Sequence, residues 1–161
     1  GTALDTARLK MVLSNLLNVK VSDITAYIIG EHGDSQVIVW SQIYVKNMPL
    51  EEYCIQNNIN KVDKEKVAEL VKNAGWEIAN IKHTTNFGIA SVVKDILDSI
   101  LNNERKLMVV SNLIENDRKE YFTSCPALIG RTGIERKIDF SLSNEESKQL
   151  NESSLLLKNL L

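Results

Sequence analysis

The feature that most constrains the fold is a helical repeat of apolar residues in the middle of the chain. From about Val62 to Ile100, apolar side chains recur every three or four residues, the spacing that places them on one face of an α-helix. The members of this stripe are Val67, Leu70, Val71, Ala74, Ile78, Ile81, Ile89, Val92, Val93, Ile96, Leu97 and Ile100. The pattern continues beyond Thr84 and Thr85, and it predicts either one long helix or two helices joined near Asn86–Gly88.

Helices are also predicted at both ends of the chain. Thr2 and Asp5 match the capping-box pattern, and the apolar spacing that follows predicts a helix over about residues 3–18. A short helix is expected over residues 50–56 and a final one over residues 144–161. The final helix would have Ser143 as its cap. Its apolar side would be formed by Leu150, Leu155 and Leu156.

Runs of β-branched and aromatic residues predict five strands, two before the long helical repeat and three after it. These runs are Ile24–Ile29, Val37–Val45, Lys106–Ile114, Tyr121–Ile129 and Lys137–Leu142. Because the strands come in groups and do not alternate with helices, we predict an α+β fold with a largely antiparallel sheet packed against long helices. A chain of 161 residues is expected to form a single domain, residues 1–161.

Charge and composition exclude several classes of partner. The chain has 19 Lys and Arg against 21 Asp and Glu and no basic block, which argues against nucleic acid or a membrane surface as a partner. No apolar run approaches the roughly 18 residues of a membrane span, and the first residues do not resemble a signal peptide, so a cytoplasmic location is expected. Cys54 and Cys125 are far apart and outside any zinc-binding spacing, so we expect unpaired thiols and no metal site.

The two histidines differ in context. His32 lies between Gly30 and Gly33 in the polar connection between the first two strands, where glycine lets the backbone turn sharply and a small molecule approach closely. A histidine on such a loop is a candidate general acid or base; the alternative is a polar hairpin turn that happens to contain histidine. His83 lies within the long helical repeat and is expected on a solvated face.

Two further pairs of polar residues are candidates for a site. Asp5 and Arg8 are three residues apart in the first helix and share a face, so the arginine could bind a carboxylate while the aspartate orients an imidazole. The alternative, which the residues alone favour, is a surface salt bridge at a helix N-terminus. Thr84 and Thr85 interrupt the apolar stripe and could place a hydroxyl in a pocket, or could cap a helix at a kink.

Three segments of the chain resemble the L-lactate dehydrogenase family of the lactate/malate dehydrogenase superfamily. The active-site signature of that family resembles Ile29–Ser35, its helix motif resembles Leu4–Arg8, and its third substrate-pocket segment resembles Thr85–Ala90. The three stand in the family's order and separation, and the resemblance extends over essentially the whole chain. It covers only the second half of the family's chain, so it implies the C-terminal catalytic and substrate domain, with the N-terminal Rossmann domain that binds NAD absent from these residues.

The resemblance implies a role for each matching residue. His32 would protonate the keto oxygen of pyruvate and act as a general base in the reverse direction. Asp5 would hold the imidazole of His32 in the productive tautomer, and Arg8 would bind the substrate carboxylate. Thr85 would line the pocket beside the small side chain of the substrate, and Ile89 would contact the nicotinamide of NAD.

The activity implied is the NAD-dependent interconversion of pyruvate and L-lactate, a step of glycolysis and pyruvate fermentation, in a cytoplasmic tetramer. NAD would be bound mainly by the N-terminal domain, so this chain alone is predicted to be inactive. The alternatives are a domain of a malate or other L-2-hydroxy-acid dehydrogenase, and a non-catalytic oligomerisation module. Family members activated by fructose 1,6-bisphosphate have Arg and His where this chain has Lys10 and Thr25, so that activation is expected to be weak or absent.

Overall fold

The computed structural model describes residues 1–116 and 119–159, which form five helices and eight strands. The helices are α1 Thr2–Leu17, α2 Leu50–Gln56, α3 Lys64–Lys82, α4 Asn86–Leu101 and α5 Asn144–Lys158. The strands are β1 Ile24–Thr25, β2 Ile28–Ile29, β3 Val37–Ile38, β4 Tyr44–Val45, β5 Met48–Pro49, β6 Lys106–Asn116, β7 Lys119–Gly130 and β8 Gly133–Lys137. The α+β fold expected from the sequence is confirmed.

All the described strand pairs are antiparallel. The largest sheet has the order β6-β7-β8, and two smaller ones are β1-β4-β5 and β2-β3. The first two predicted strands are therefore each divided into short pieces, the second by a 3-10 turn at Trp40–Gln42. An isolated bridge between Gly30 and Ser124 connects the end of β2 to β7, so the loop after β2 begins at the large sheet.

The last predicted strand, Lys137–Leu142, is wrong: β8 is Gly133–Lys137 and ends where that strand was expected to begin. A two-residue turn opens β8, because Gly130 pairs directly with Gly133, whose φ of 89° suits glycine. Pairing ends at Pro126 of β7, which accepts a hydrogen bond from the Ile138 N–H but has no N–H to return.

The long helical repeat forms two helices, α3 and α4, with the break at residues 83–85. The break therefore comes just before the predicted join, because Asn86–Gly88 form the first turn of α4. His83 is exposed as predicted, but it ends α3 and does not lie within a helix: its φ is 59° and its N–H donates to the Ala79 carbonyl. Only part of the apolar stripe is covered, since Val67, Val71 and Val92 are buried whereas Ile81 is 79% exposed.

The main core lies between α1, α2, α3 and the short strands. Leu9 and Leu13 of α1 are completely buried there, with Val71 of α3. A smaller core joins β2 and β3 to β6 around Ile29, Val37, Val39 and Val109, and Leu150 of α5 packs against it. The two cores fix α1 and the β2–β3 hairpin relative to each other.

The two predicted helix caps have different outcomes. Ser143 caps α5 in a full capping box with Glu146, as expected. The box predicted for Thr2 and Asp5 is wrong, because Gly1 is the N-cap of α1 and makes no side-chain cap bond. The Asp5 carboxylate is used elsewhere, as described below.

The predicted apolar side of α5 is wrong for two of its three residues. Leu155 and Leu156 are more than half exposed, while Ser153 and Ser154 are buried in their place. The last two residues of the predicted helix, 160 and 161, lie outside the described residues.

Both cysteines are free thiols, as predicted. Burial raises the pKa of Cys54, with a further contribution from Glu51, and burial also raises the pKa of Cys125, so both thiols stay protonated near neutral pH. Among the described helices, none combines the length and the apolar character that crossing a membrane requires.

Candidate active site

Helix α1 carries one carboxylate on its buried face. Asp5, Leu9 and Leu13 are spaced four residues apart, so they lie on the same side of the helix. The two leucines enter the main core, and Asp5, one turn earlier, is only 2% exposed. A buried carboxylate needs partners that compensate for the loss of water.

Asp5 has a partner for each of its oxygens. Its Oδ2 lies 2.6 Å from Nδ1 of His32, and its Oδ1 accepts a hydrogen bond from Arg8 over 3.0 Å. The carboxylate thereby favours the imidazole tautomer with its proton on Nδ1, which leaves Nε2 to exchange protons with another molecule. The His32 side chain is 55% exposed, so its ring is accessible from solvent.

Arg8 is only partly used by its neighbours in the structure. One terminal nitrogen donates to Asp5, while Nε is buried and has no partner among the described residues. The guanidinium faces Gly75 of α3, where an added Cβ would lie 3.3 Å from Nη2 of Arg8. Arginine donates from a planar fork, so the donors not used by Asp5 suit a carboxylate.

An open cavity of about 460 Å³ lies over these residues, a size typical of sites for small molecules. It is lined by Asp5, Arg8, His32, Gly33, Asp34, Gln36, Lys72, Asn73, Gly75, Trp76, Ala79 and Thr85. The structure thus brings four of the five predicted site residues to one cavity. The fifth, Ile89, is 40% exposed on α4 and is not among the lining residues.

The two threonines differ in position. Thr85 lines the cavity, where its predicted contact with substrate stays a prediction. Thr84 makes a local contact with the Asn86 side chain, and its hydroxyl accepts from the Asn86 N–H over 3.4 Å, at the start of α4. The N-cap residue of α4 is Thr85, which makes no side-chain cap bond, so neither threonine forms the expected cap and Thr84 makes only this local bond.

Helix α3 contributes cavity residues that the sequence analysis missed, among them Lys72, Asn73, Gly75 and Trp76. Lys72 forms an ion pair with Asp34, another residue that lines the cavity, and its Nζ lies 2.8 Å from the Asp34 carboxylate. The helical spacing predicted which side of α3 faces the core, but it did not show that the other side faces His32. The signal available in the sequence was a tryptophan next to a glycine, Gly75-Trp76, within the helical repeat.

Lys10 lies two residues beyond Arg8 on α1 and has a second lysine near it. Burial lowers the pKa of Lys10, and the positive charge of Lys106 lowers it further. Thr25 is the last residue of β1. Neither observation tests the expected lack of activation by fructose 1,6-bisphosphate.

The chain belongs to the lactate/malate dehydrogenase family: the family model for the lactate/malate dehydrogenase, alpha/beta C-terminal domain, matches residues 2–161. The family match confirms the resemblance that the three sequence segments indicate.

Several relatives carry a more specific name. An L-lactate dehydrogenase of Clostridium perfringens is 37% identical over 162 residues, which cover 98% of this chain and 51% of that protein. An L-lactate dehydrogenase of Clostridium botulinum is 36% identical over 165 residues, which cover 100% of this chain and 52% of that protein. The chain spans about half the length of the curated relatives it matches.

A solved structure supports membership of the lactate/malate dehydrogenase family. MGS-M5, a lactate dehydrogenase enzyme from a Medee basin deep-sea metagenome library, superposes with a TM-score of 0.88 at 29% identity. The match covers 99% of this chain and 52% of that one.

Proposed function

We propose that this chain is the substrate-binding and catalytic domain of an NAD-dependent L-lactate dehydrogenase, which interconverts pyruvate and L-lactate. The observation that carries the proposal is the convergence of Asp5, Arg8 and His32 on one cavity. Relatives named L-lactate dehydrogenase support the choice of substrate.

In this proposal Arg8 binds the substrate carboxylate. The terminal N–H groups of Arg8 that Asp5 does not use can donate to both carboxylate oxygens, which fixes the orientation of the substrate. The hydrogen bond from Nη1 of Arg8 to Asp5 holds the guanidinium in place. Bound in this way, pyruvate presents its carbonyl group to the same cavity that the His32 ring lines.

His32 transfers the proton. Its Nδ1 donates to Asp5, so a protonated ring carries its second proton on Nε2 and gives it to the carbonyl oxygen as the alcohol forms. In the reverse direction the neutral Nε2 accepts the hydroxyl proton of lactate. Asp5 keeps its negative charge throughout and stabilises the imidazolium.

When bound, NADH would supply the hydride to the carbonyl carbon of pyruvate, and NAD would accept it back from lactate; the residues here fit the nicotinamide end of the cofactor. The exposed Ile89 side chain offers an apolar contact for the nicotinamide, close in sequence to Thr85 at the cavity. The 161 residues contain no glycine-rich pyrophosphate motif. We therefore place most of the NAD site in a Rossmann domain outside this chain, and expect the 161-residue chain alone to be inactive.

The remaining proposals concern location and assembly. The two free thiols are consistent with a reducing compartment, and we propose a cytoplasmic enzyme. We also propose that the intact enzyme is a homotetramer. The second candidate function, a non-catalytic oligomerisation module, is favoured by large exposed apolar side chains such as Ile81 and Phe87, 79% and 81% exposed.

The test compares the product of the complete reading frame with the 161-residue chain, using NADH and either pyruvate or oxaloacetate. We expect the complete product to reduce pyruvate preferentially and the chain alone to reduce neither. His32→Asn should lower kcat by about 10²- to 10⁴-fold, because the proton donor is lost. The matched control is His83→Asn, which removes the exposed histidine at the end of α3 and should leave kcat unchanged.

Other outcomes would contradict the proposal. A preference for oxaloacetate would identify a malate dehydrogenase. A complete product that forms a stable oligomer but reduces neither substrate would favour the oligomerisation module. Turnover by the 161-residue chain alone would show that the cofactor site had been placed wrongly.

A further inference from the structure

The loop that carries His32 is attached to α5 by one buried hydroxyl group. The Glu31 N–H, next to His32, donates to Oγ of Ser153 over 2.8 Å. The hydroxyl of Ser35, on the other side of His32, lies 3.1 Å from the same oxygen. Ser153 is completely buried, so water does not compete for these bonds.

The loop is also closed on itself. The hydroxyl and the N–H of Ser35 both donate to Oε2 of Glu31. A serine hydroxyl has a single proton, and that of Ser35 is used by the carboxylate. The proton between the two serines therefore comes from Ser153, which accepts from the residue before His32 and donates to a residue after it.

Gly30 brings the loop close to Ser153. An added Cβ on Gly30 would lie 2.7 Å from the Ser153 Oγ, and Gly30 has a φ of 86°. The Gly30 N–H donates to the Ser124 carbonyl of β7 over 2.8 Å. The loop therefore enters between the sheet and α5 with little room to shift.

Helix α5 is itself anchored to the body of the domain. The Glu146 carboxylate accepts from the N–H and the hydroxyl of Ser41, over 2.9 and 2.6 Å, and from the Ser143 N–H over 2.8 Å. Ser153 thus connects the loop to an element that is fixed at its N-terminal end.

We propose that Ser153 is a positioning residue for His32: it holds the loop so that the imidazole meets Asp5. This inference rests on the proposed function, in which the His32–Asp5 pair transfers the proton. Ser153 acts through the backbone of Glu31 and through Ser35, and it does not line the cavity that contains His32.

The first test reads the imidazole tautomer directly by nitrogen NMR of the product of the complete reading frame. A neutral imidazole in water favours the proton on Nε2, whereas His32 paired with Asp5 should carry it on Nδ1. The His32 signal is the one that His32→Asn removes, and the exposed His83, assigned with His83→Asn, serves as the reference.

Ser153→Ala should shift the His32 signal from mainly Nδ1–H towards Nε2–H, as in His83. The matched control is Ser154→Ala, the neighbouring buried serine, which takes no part in the bonds that hold the loop. Ser35→Ala removes the second half of the network from the partly exposed loop, so it tests the same idea if Ser153→Ala does not fold.

Each outcome has one meaning. Loss of the Nδ1–H form in Ser153→Ala, with Ser154→Ala unchanged, supports the inference. If Ser153→Ala does not fold, loss in Ser35→Ala supports it only when Glu31→Ala, which removes the same Glu31–Ser35 bonds, keeps the Nδ1–H form. An unchanged tautomer together with a lower melting temperature shows a merely structural role and overturns it. A wild-type chain without the Nδ1–H form contradicts the His32–Asp5 pair itself, and with it the proposed function.

A second readout uses the product of the complete reading frame. Displacement of His32 by a fraction of an ångström to about 1 Å should lower kcat by about 10- to 100-fold. The KM for pyruvate should change little, because Arg8 takes no part in the hydrogen bonds between the loop and Ser153. An equal loss in Ser154→Ala would contradict the assignment to Ser153.

Discussion

At the residue scale, Arg8 has two tasks that a lysine cannot combine. One terminal nitrogen donates to Asp5, and other donors remain for a ligand in the cavity. Lysine keeps the charge but has a single nitrogen and no planar fork.

We therefore expect Arg8→Lys to raise the KM for pyruvate by about 10- to 100-fold, the equivalent of one lost charge-assisted hydrogen bond of about 1.5–3 kcal/mol. Steady-state kinetics on the product of the complete reading frame measure this. Arg105→Lys is the matched control, since Arg105 is exposed and paired with Glu135 outside the cavity. A KM that is the same in wild type and Arg8→Lys would remove Arg8 from the carboxylate site.

The residue scale also shows what sequence reasoning can find in the site. The residues alone favoured a surface salt bridge for Asp5 and Arg8, and only the family resemblance connected them to His32. The structure brings the carboxylate and the imidazole together across 27 positions of the chain. Ser153 is 122 positions from Glu31, so its contact depends on tertiary packing that no local pattern reports.

At the scale of elements, Glu146 attaches α5 to the turn at Trp40–Gln42. Burial alone would raise the pKa of this carboxyl, but its hydrogen bonds with Ser41 and Ser143 outweigh burial, so the pKa is lowered. A lowered pKa means that the ionised form stabilises the fold. This contribution is complete above the unfolded pKa of about 4.3 and is lost as the pH falls through the folded value.

Glu146→Gln should therefore lower the free energy of unfolding by about 1–3 kcal/mol at neutral pH, because the amide replaces a charged acceptor with a neutral one. The difference from wild type should shrink as the pH falls below about 4. Urea unfolding at several pH values measures it. Glu145→Gln, an exposed position in the same turn, is the control, and an equal effect there would contradict the role of Glu146.

The elements themselves were largely predictable where a local pattern is strong. Helix α2 has the predicted bounds, and α1 and α3 are close to theirs. Of the two options for the long repeat, two helices is the right one, with the break just before the predicted join at Asn86–Gly88. The failures arise from packing: Asp5 turns to His32 and does not cap α1, and Ser153 and Ser154 take the buried positions expected for leucines. The hydrogen bonds of Ser153 with Glu31 and Ser35 explain its burial, and hydrophobic periodicity does not detect them; nothing in the structure explains the burial of Ser154.

At the scale of the whole molecule, the structure leaves an apolar surface around the break between α3 and α4. Trp76, Ile81 and Phe87 are each more than 70% exposed there. This chain covers about half the length of the L-lactate dehydrogenase relatives it matches. We propose that a Rossmann domain completes the enzyme. Exposed apolar area of this kind promotes association when nothing covers it.

We expect the isolated 161-residue chain to self-associate through this surface, as sizing with light scattering would show. Replacing both Ile81 and Phe87 with Ser should shift the chain towards monomer, because about two large apolar side chains leave the contact. Ile55→Ser is the control: Ile55 is 77% exposed but lies on α2, away from the break. If the double variant associates as strongly as wild type, or if Ile55→Ser has the same effect, another surface is responsible. A chain that is monomeric from the start would also weaken the oligomerisation-module alternative, since a module must associate without a catalytic partner.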